Sequence, residues 1–309
     1  MNIARSCWTY RYSLALLWML SVTARRSFVS SFIATNSKQF LVCRPYASTP
    51  SFAMSSSSVA VEDGVDIEGN LEHVRGKVEA ACGAAGRSVE SVRLVAVSKT
   101  KPFSYIQEAY YKCGQKVFGE NYAQELEDKA KEMGADENYQ QDISWHFIGG
   151  LQSNKAAKLV KNVVPFGKLV VETVNSAKVA NKLDNAMVTN FADDEALLDV
   201  FVQVNTSGED SKSGVSVDEA VELCGHIVDN CKRLNLKGIM TIGAPGDVEC
   251  LEKLGICREK VAEALSMQSA DLELSMGMSG DYEIAIAKGS TNVRVGSTIF
   301  GQRDYSNKN

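Results

Sequence analysis

The sequence predicts an α/β fold, a single (β/α)8 TIM barrel spanning residues 66–305. Three observations carry that expectation. Apolar runs of strand length alternate with stretches of helical period eight times within about 240 residues, which is the arithmetic of such a barrel. No linker rich in Pro, Gly or Ser interrupts the alternation. A hydrophobic content of 45% over 309 residues allows one sizeable core.

The elements follow in order. An opening helix is predicted over 66–86, because Leu71, Val74, Val78 and Cys82 fall on one face, and Arg87-Ser88 ends it. The first strand carries Leu94, Val95, Ala96 and Val97, and Pro102 stops the chain from continuing as a strand. Phe103, Ile106, Tyr110 and Cys113 mark a helix over 103–113. A brief strand at Lys116–Gly119 leads into a helix over 121–133, and Ile143–Gly149 is the third strand, followed by a helix over 153–162. Leu169–Glu172 is the fourth strand, with a helix over 176–188, and the apolar run Leu197–Asn205 is the fifth. Ser216 with Glu219 forms a capping box for a helix that reaches Cys231. Leu236–Ile242 is the sixth strand, with a helix over 247–267. Leu272–Ser275 is the seventh, with a helix over 280–288, and Asn292–Val295 is the eighth, before a short terminal turn.

Charge separates the first 58 residues from the rest. They hold Arg5, Arg11, Arg25, Arg26, Lys38 and Arg44 and no acidic residue, and they end in the run Ser55–Ser58. That composition predicts a cleavable transit peptide over residues 1–58, addressed to a mitochondrion or plastid. Leu14–Leu20 also suits the apolar core of a secretory signal, with Val22-Thr23-Ala24 as the cleavage site, although it is too short to span a membrane. Initiation at Met54 would instead give a cytoplasmic form. With those six removed from the 33 basic residues, 27 face 38 acids, a net charge of −11. Such acidity argues against a nucleic-acid partner, and no stretch predicts a membrane partner. Of the eight cysteines, Cys7 and Cys43 lie in the leader. Cys224 and Cys231 sit on one helical stripe and Cys250 and Cys257 on another, which is core spacing and predicts neither a disulfide nor a metal site.

In a (β/α)8 barrel the chemistry lies at the carboxyl ends of the strands, with an anion held by the loops after strands seven and eight. Lys99 shares the phase of Val95 and Val97 and is expected at the mouth of the barrel, where partial desolvation favours attack on a carbonyl. A solvated strand-end lysine is the competing reading of that stretch alone. Lys101 has the same phase but lies in the loop beside Pro102. The loops at the two expected positions read Ser275-Met276-Gly277-Met278-Ser279-Gly280-Asp281 and Val295-Gly296-Ser297-Thr298. Their small residues let backbone N–H groups approach an anion, and Ser279 and Ser297 are each expected to begin a helix.

The segments V-A-V-S-K-T-K-P, F-G-E-N-Y, W-H-F-I-G-G-L-Q-S-N-K, L-S-M-G-M-S-G-D-Y-E-I-A-I-A-K-G-S-T-N-V-R-V-G and I-F-G-Q-R closely resemble the pyridoxal phosphate homeostasis protein family, in order from about residue 66 to 305. The resemblance implies an alanine racemase-like barrel carrying pyridoxal 5′-phosphate (PLP). It makes Lys99 the lysine that forms a Schiff base with PLP. It assigns Ser279, Gly296 and Ser297 to the phosphate and Arg294 to the pyridine nitrogen, and it puts Asn121, His146 and Met240 near the cofactor. Relatives often have threonine where this chain has Ser297, and either hydroxyl can serve. Bland readings stand beside these: Arg294 as a rim ion-pair residue, His146 as a satisfied core histidine and Asn121 as a helix N-cap. Lys155, Lys158 and Lys161 recur at helical spacing and read as a solvated face.

Two functions compete. One is a non-catalytic PLP-binding protein of vitamin B6 homeostasis, which buffers the cofactor or delivers it to apo forms of PLP-dependent enzymes and is a monomer or weak dimer. The other is a PLP-dependent amino-acid racemase. Racemisation uses an electron-withdrawing, protonated ring, which an arginine at the ring nitrogen disfavours, and a base on each face. The resembling racemases take one base from a second domain, for which a chain ending at Asn309 leaves no room. The expectation is therefore the carrier.

Overall fold

The computed structural model describes residues 64–192, 196–209, 213–244 and 246–302; the leader lies outside them. Eight parallel strands close a barrel in chain order: β1 (Arg93–Val97), β2 (Val117–Glu120), β3 (Ser144–Phe147), β4 (Lys168–Val174), β5 (Leu198–Gln203), β6 (Leu234–Met240), β7 (Glu273–Met278) and β8 (Asn292–Val295). β8 pairs back onto β1 through Arg93↔Asn292 to Ala96↔Val295. The (β/α)8 expectation holds, and each strand overlaps its predicted span.

The surrounding helices are α1 (Ile67–Ala84), α2 (Phe103–Tyr111), α3 (Ala123–Gly134), α4 (Ala156–Val163), α5 (Ala177–Asn190), α6 (Val217–Asn230), α7 (Val248–Leu265), α8 (Tyr282–Ala287) and α9 (Ser297–Phe300). α1 shows why these segments are helical. Asp66 caps its start by accepting from the Gly69 N–H at 2.9 Å, and the stripe Ile67, Leu71, Val74, Val78 and Cys82 is buried along its whole length. Full burial of each such aliphatic side chain contributes about 1.5–3 kcal/mol. α1 packs against α8 and α9, so the first helix covers the strands that close the barrel. The Ser216–Glu219 capping box forms as expected.

Two apolar layers result. The larger lies between strands and helices and includes Trp145, Phe147 and Phe300, and a small one, Val170, Phe201 and Met240, fills the lumen. Cys224, Cys231, Cys250 and Cys257 are buried and unpaired, and no cluster of potential metal ligands occurs among the described residues. Nor is any described helix long and apolar enough to cross a membrane. Gly238 is required by close approach, because a Cβ there would lie 1.9 Å from the Glu273 carbonyl on the neighbouring strand. Ion pairs close the amino end of the barrel: Arg93–Glu273 at 2.6 Å, Lys168–Asp199 at 2.6 Å and Lys237–Glu273 at 3.6 Å. Lys155, Lys158 and Lys161 are exposed, as a solvated face requires.

Candidate functional site

The β1–β2 ladder ends at Val97↔Gly119, two residues before Lys99. Ser98 still donates its N–H to the Gly119 carbonyl at 3.0 Å, and the chain then turns, with Lys101 N–H returning to the Ser98 carbonyl at 3.1 Å. Thr100 takes φ +60°, a left-handed conformation that is costly for a β-branched residue. Lys99 therefore belongs to a turn beyond the strand. It is half-buried and lines a cavity of ≈ 380 Å³ at the carboxyl end of the barrel. That volume falls in the range of about 300–1,000 Å³ usual for small-molecule sites. Val97, Ile148 and Met278 form the apolar wall, Lys99, Lys101 and Arg294 bring positive charge, and no Asp or Glu is among the described lining residues.

Small residues of the two predicted loops complete the lining: Ser279 and Gly280 after β7, and Gly296 and Ser297 after β8. A direct bond joins the loops, Gly296 N–H donating to Ser279 Oγ at 3.2 Å. Gly277 needs its φ of +94°, and a Cβ there would come within 2.5 Å of the Ala285 Cβ. Open space surrounds Gly280. Ser297 begins α9 as expected, but Ser279 does not begin a helix. α8 starts three residues later behind Asp281, whose carboxylate accepts from Met278 N–H at 2.6 Å and so holds the loop as a turn.

Arg294 is buried rather than on the rim, and no carboxylate pairs with it directly. Its Nη1 donates to Ser275 Oγ at 2.6 Å and its Nη2 to the Thr241 carbonyl at 2.7 Å. Ser275 donates in turn to Glu172 Oε2 at 2.5 Å, and His146 Nδ1 meets Glu172 Oε1 at 2.5 Å. A polar chain thus runs inside the barrel from the cavity to His146. Burial pushes the Glu172 carboxyl up, but the His146 bond, the charges of His146 and Arg294 and the Ser275 hydroxyl outweigh it and hold the group below the usual carboxylate range. Burial lowers the Arg294 guanidinium, against the opposing pull of Glu172 and Asp281.

Of the residues expected near a cofactor, Lys99, Ser279, Arg294, Gly296 and Ser297 come together around the cavity. Asn121, His146 and Met240 do not line it. His146 instead lines a second cavity of ≈ 90 Å³ at the amino end, beside Arg93, Lys168 and Glu273. It is buried, with Glu172 satisfying its Nδ1. Met240 sits in the lumen layer with Val170 and Phe201, next to the Thr241 whose carbonyl holds Arg294. Asn121 is not the N-cap: Tyr122 occupies that place, and the Asn121 Oδ1 is buried without a partner. Sequence reasoning missed Glu172, Ser275 and Thr241 as supports of Arg294. A lone acid in the apolar strand L-V-V-E-T-V was the available signal for the first. It also missed Gly301 and Gln302, which line the cavity and which Lys101 ties down through a 2.7 Å bond from Nζ to the Gln302 carbonyl.

A closed parallel barrel with a lysine, an arginine and two small-residue loops at its carboxyl end defines an alanine-racemase-type barrel, and residues 70–304 match the family described as alanine racemase, N-terminal domain. An alanine racemase of Clostridium difficile superposes with TM-score 0.56 at 14% identity over 77% of this chain and 58% of that one, a likeness of fold. Among relatives, the human pyridoxal phosphate homeostasis protein is 41% identical over 264 residues, covering 82% of this chain and 92% of its own length. The solved structure of PipY from Synechococcus elongatus with PLP bound has TM-score 0.59 at 30% identity, over 76% of this chain and all of that one. The chain belongs to the pyridoxal phosphate homeostasis protein family.

Proposed function

We propose that this protein binds pyridoxal 5′-phosphate in the cavity at the carboxyl end of the barrel and serves its homeostasis, buffering the cofactor or delivering it to apo enzymes. The carrying observation is the lining: three cationic side chains, one of them the Lys99 amine, with serine hydroxyls, two small-residue loops and no acid among the described residues. That donor set fits a phosphorylated aldehyde. Lys99 takes the aldehyde carbon, Ser279, Gly296 and Ser297 cradle the phosphate, and Arg294 faces the ring nitrogen. Asn121, at the rim and with an oxygen to satisfy, remains a cofactor neighbour in this reading, whereas His146 and Met240 act through the support of Arg294.

Bound PLP supplies an electron-withdrawing ring that acidifies the α-hydrogen of an attached amino acid. Arg294 offers only donors and stays charged, so it stabilises a ring nitrogen that has no proton and weakens that pull. Loss of one well-placed base alone typically costs about 10²–10⁴ in rate, and among the described lining residues no tyrosine or carboxylate stands opposite Lys99 to act as a second one. The protein is therefore a carrier rather than a racemase. As for its address, residues 1–58 act as a mitochondrial or plastid leader, and a fluorescent fusion that stays in the cytoplasm would refute this in favour of initiation at Met54.

Borohydride reduction of the PLP-loaded protein followed by peptide mapping tests the reading. The pyridoxyl group is expected on Lys99, and Lys99→Ala is expected to stay folded and take up none. A label on Lys101 would move the attachment point. Exchange of the α-hydrogen of L- and D-alanine in deuterated water at ordinary enzyme rates, abolished by Lys99→Ala, would restore the racemase.

A further inference from the structure

Both neighbours of Lys99 are gripped by a buried charge cluster that does not line the cavity. Lys129, buried on α3, uses all three ammonium hydrogens: it donates to the Ser98 carbonyl at 2.8 Å, to Glu120 Oε1 at 2.8 Å and to Glu125 Oε1 at 2.6 Å. Ser98 Oγ donates to the same Glu120 oxygen at 2.7 Å. On the other side of Lys99, the Thr100 N–H donates to Glu125 Oε1 at 2.6 Å. The left-handed Thr100 that Glu125 grips is the strained residue of the turn. A buried lysine and a fully buried glutamate are costly to retain unless each is paired, and replacing such a group by apolar residues is often neutral or stabilising. Their placement against the one turn that carries the cavity lysine gives them a use that packing does not.

We propose that Lys129, bridging Glu120 and Glu125, is the positioning residue of the site: it locks the Ser98–Thr100 turn in its strained form and so fixes where the Lys99 amine enters the cavity. The proposal rests on the reading of Lys99 as the point of PLP attachment. Without the lock, Thr100 relaxes toward ordinary backbone conformations, and the arrangement that presents Lys99 becomes one of several. Apparent affinity then falls by the fraction of time the turn spends in that arrangement.

Two variants test this, Lys129→Met and Glu125→Ala. Glu125 is partly exposed on the first turn of α3, so its variant gives a folded protein even where the loss of Lys129 does not. The first readout is amide hydrogen exchange of the full chain without PLP. The Thr100 amide is expected to lose its protection in both variants while Val95, Ala96 and Val97 keep theirs. The second is PLP affinity, expected to drop about tenfold or more, with Lys129→Arg recovering part of the loss. Thr100 protection and PLP affinity equal to wild type in Glu125→Ala would overturn the proposal. If reduction of the wild type labels another residue, the attachment reading fails, and the exchange experiment still decides whether the cluster locks the turn.

Discussion

Replacing Glu172 by alanine is expected to cost the protein about 3–5 kcal/mol of stability, because it strips one partner from a buried array of charges and dipoles. Glu172 and Ser275 are fully buried, and Arg294 and His146 nearly so. In Glu172→Ala, the Arg294 guanidinium keeps its Ser275 and Thr241 bonds but loses its nearest neutralising charge. Ser275 Oγ and His146 Nδ1 each lose an acceptor at 2.5 Å. An unsatisfied buried donor alone costs about 1–3 kcal/mol, so the range for the array is not a sum of independent parts. In a domain of this size each kcal/mol moves the midpoint by about 2–4 °C, giving an expected loss of roughly 6–20 °C in thermal unfolding of the protein without PLP. Glu172→Gln keeps the shape and one acceptor and should fall between. Arg294→Leu combined with Glu172→Ala should cost less than the two losses added, with a coupling of up to about 3 kcal/mol. The pH dependence follows from the sign of the shift. The folded-state carboxyl sits below its ordinary value of 4.5, so its contribution is present above pH 4.5 and is lost as pH falls through the folded value. A loss under about 1 kcal/mol in Glu172→Ala, or full additivity in the double variant, would refute the linked array.

Two further outcomes follow from the site. Burial, offset in part by Lys129, moves the Glu120 carboxyl from an ordinary 4.5 up to about 6, so the stability it contributes is present below pH 4.5 and is lost as pH rises through about 6. Between those limits, wild type should lose about 2 kcal/mol relative to Glu120→Gln in urea unfolding; parallel curves would show that the carboxyl titrates normally. For the phosphate cradle, each charge-assisted bond contributes about 1.5–3 kcal/mol, so Ser279→Ala with Ser297→Ala should weaken PLP about tenfold or more and leave the affinity for pyridoxal unchanged. An equal loss for both ligands would remove the two hydroxyls from the phosphate.

The barrel was legible because its strands are largely apolar on both faces: runs such as Leu94–Val97 and Val200–Val202 stand out whichever residues they pair with. The two loops were legible by position, since the seventh and eighth strands could be counted. Helix starts were less so. Ser279-Gly280-Asp281 contains two good capping residues, and which one served depended on the Asp281 bond to Met278. Asn121 and Tyr122 posed the same choice, and the chain took the residue without a capping side chain. The supports of the site were hidden for a different reason. Glu172 and Ser275 are separated by 103 residues, and Lys129 sits in a helix reading E-L-E-D-K-A-K-E, where a lysine looks solvated. Pairing of β1 with β2 and packing of α3 against them bring Glu120 and the Ser98 turn onto it.

The two ends of the barrel also explain why an anion belongs at one of them although residues 59–309 carry a net charge of −11. At the amino end each basic residue meets an acid: Arg93 and Lys237 share Glu273, and Lys168 takes Asp199. At the carboxyl end no acid is among the described lining residues beside Lys99, Lys101 and Arg294, and the carboxylates nearby are withdrawn beneath the surface of the cavity, Glu172 behind Arg294 and Glu120 with Lys129 behind the Ser98 turn. Between the ends lies the apolar layer of Val170, Phe201 and Met240, where little water can screen the charges. Acids placed behind the cavity keep the buried arginine ionised and the lysine turn fixed without themselves facing the ligand. An acid moved from behind to the lining, as in Ser279→Asp, would leave the fold intact and repel the phosphate, so PLP affinity would collapse while thermal unfolding of the protein without PLP stayed near wild type.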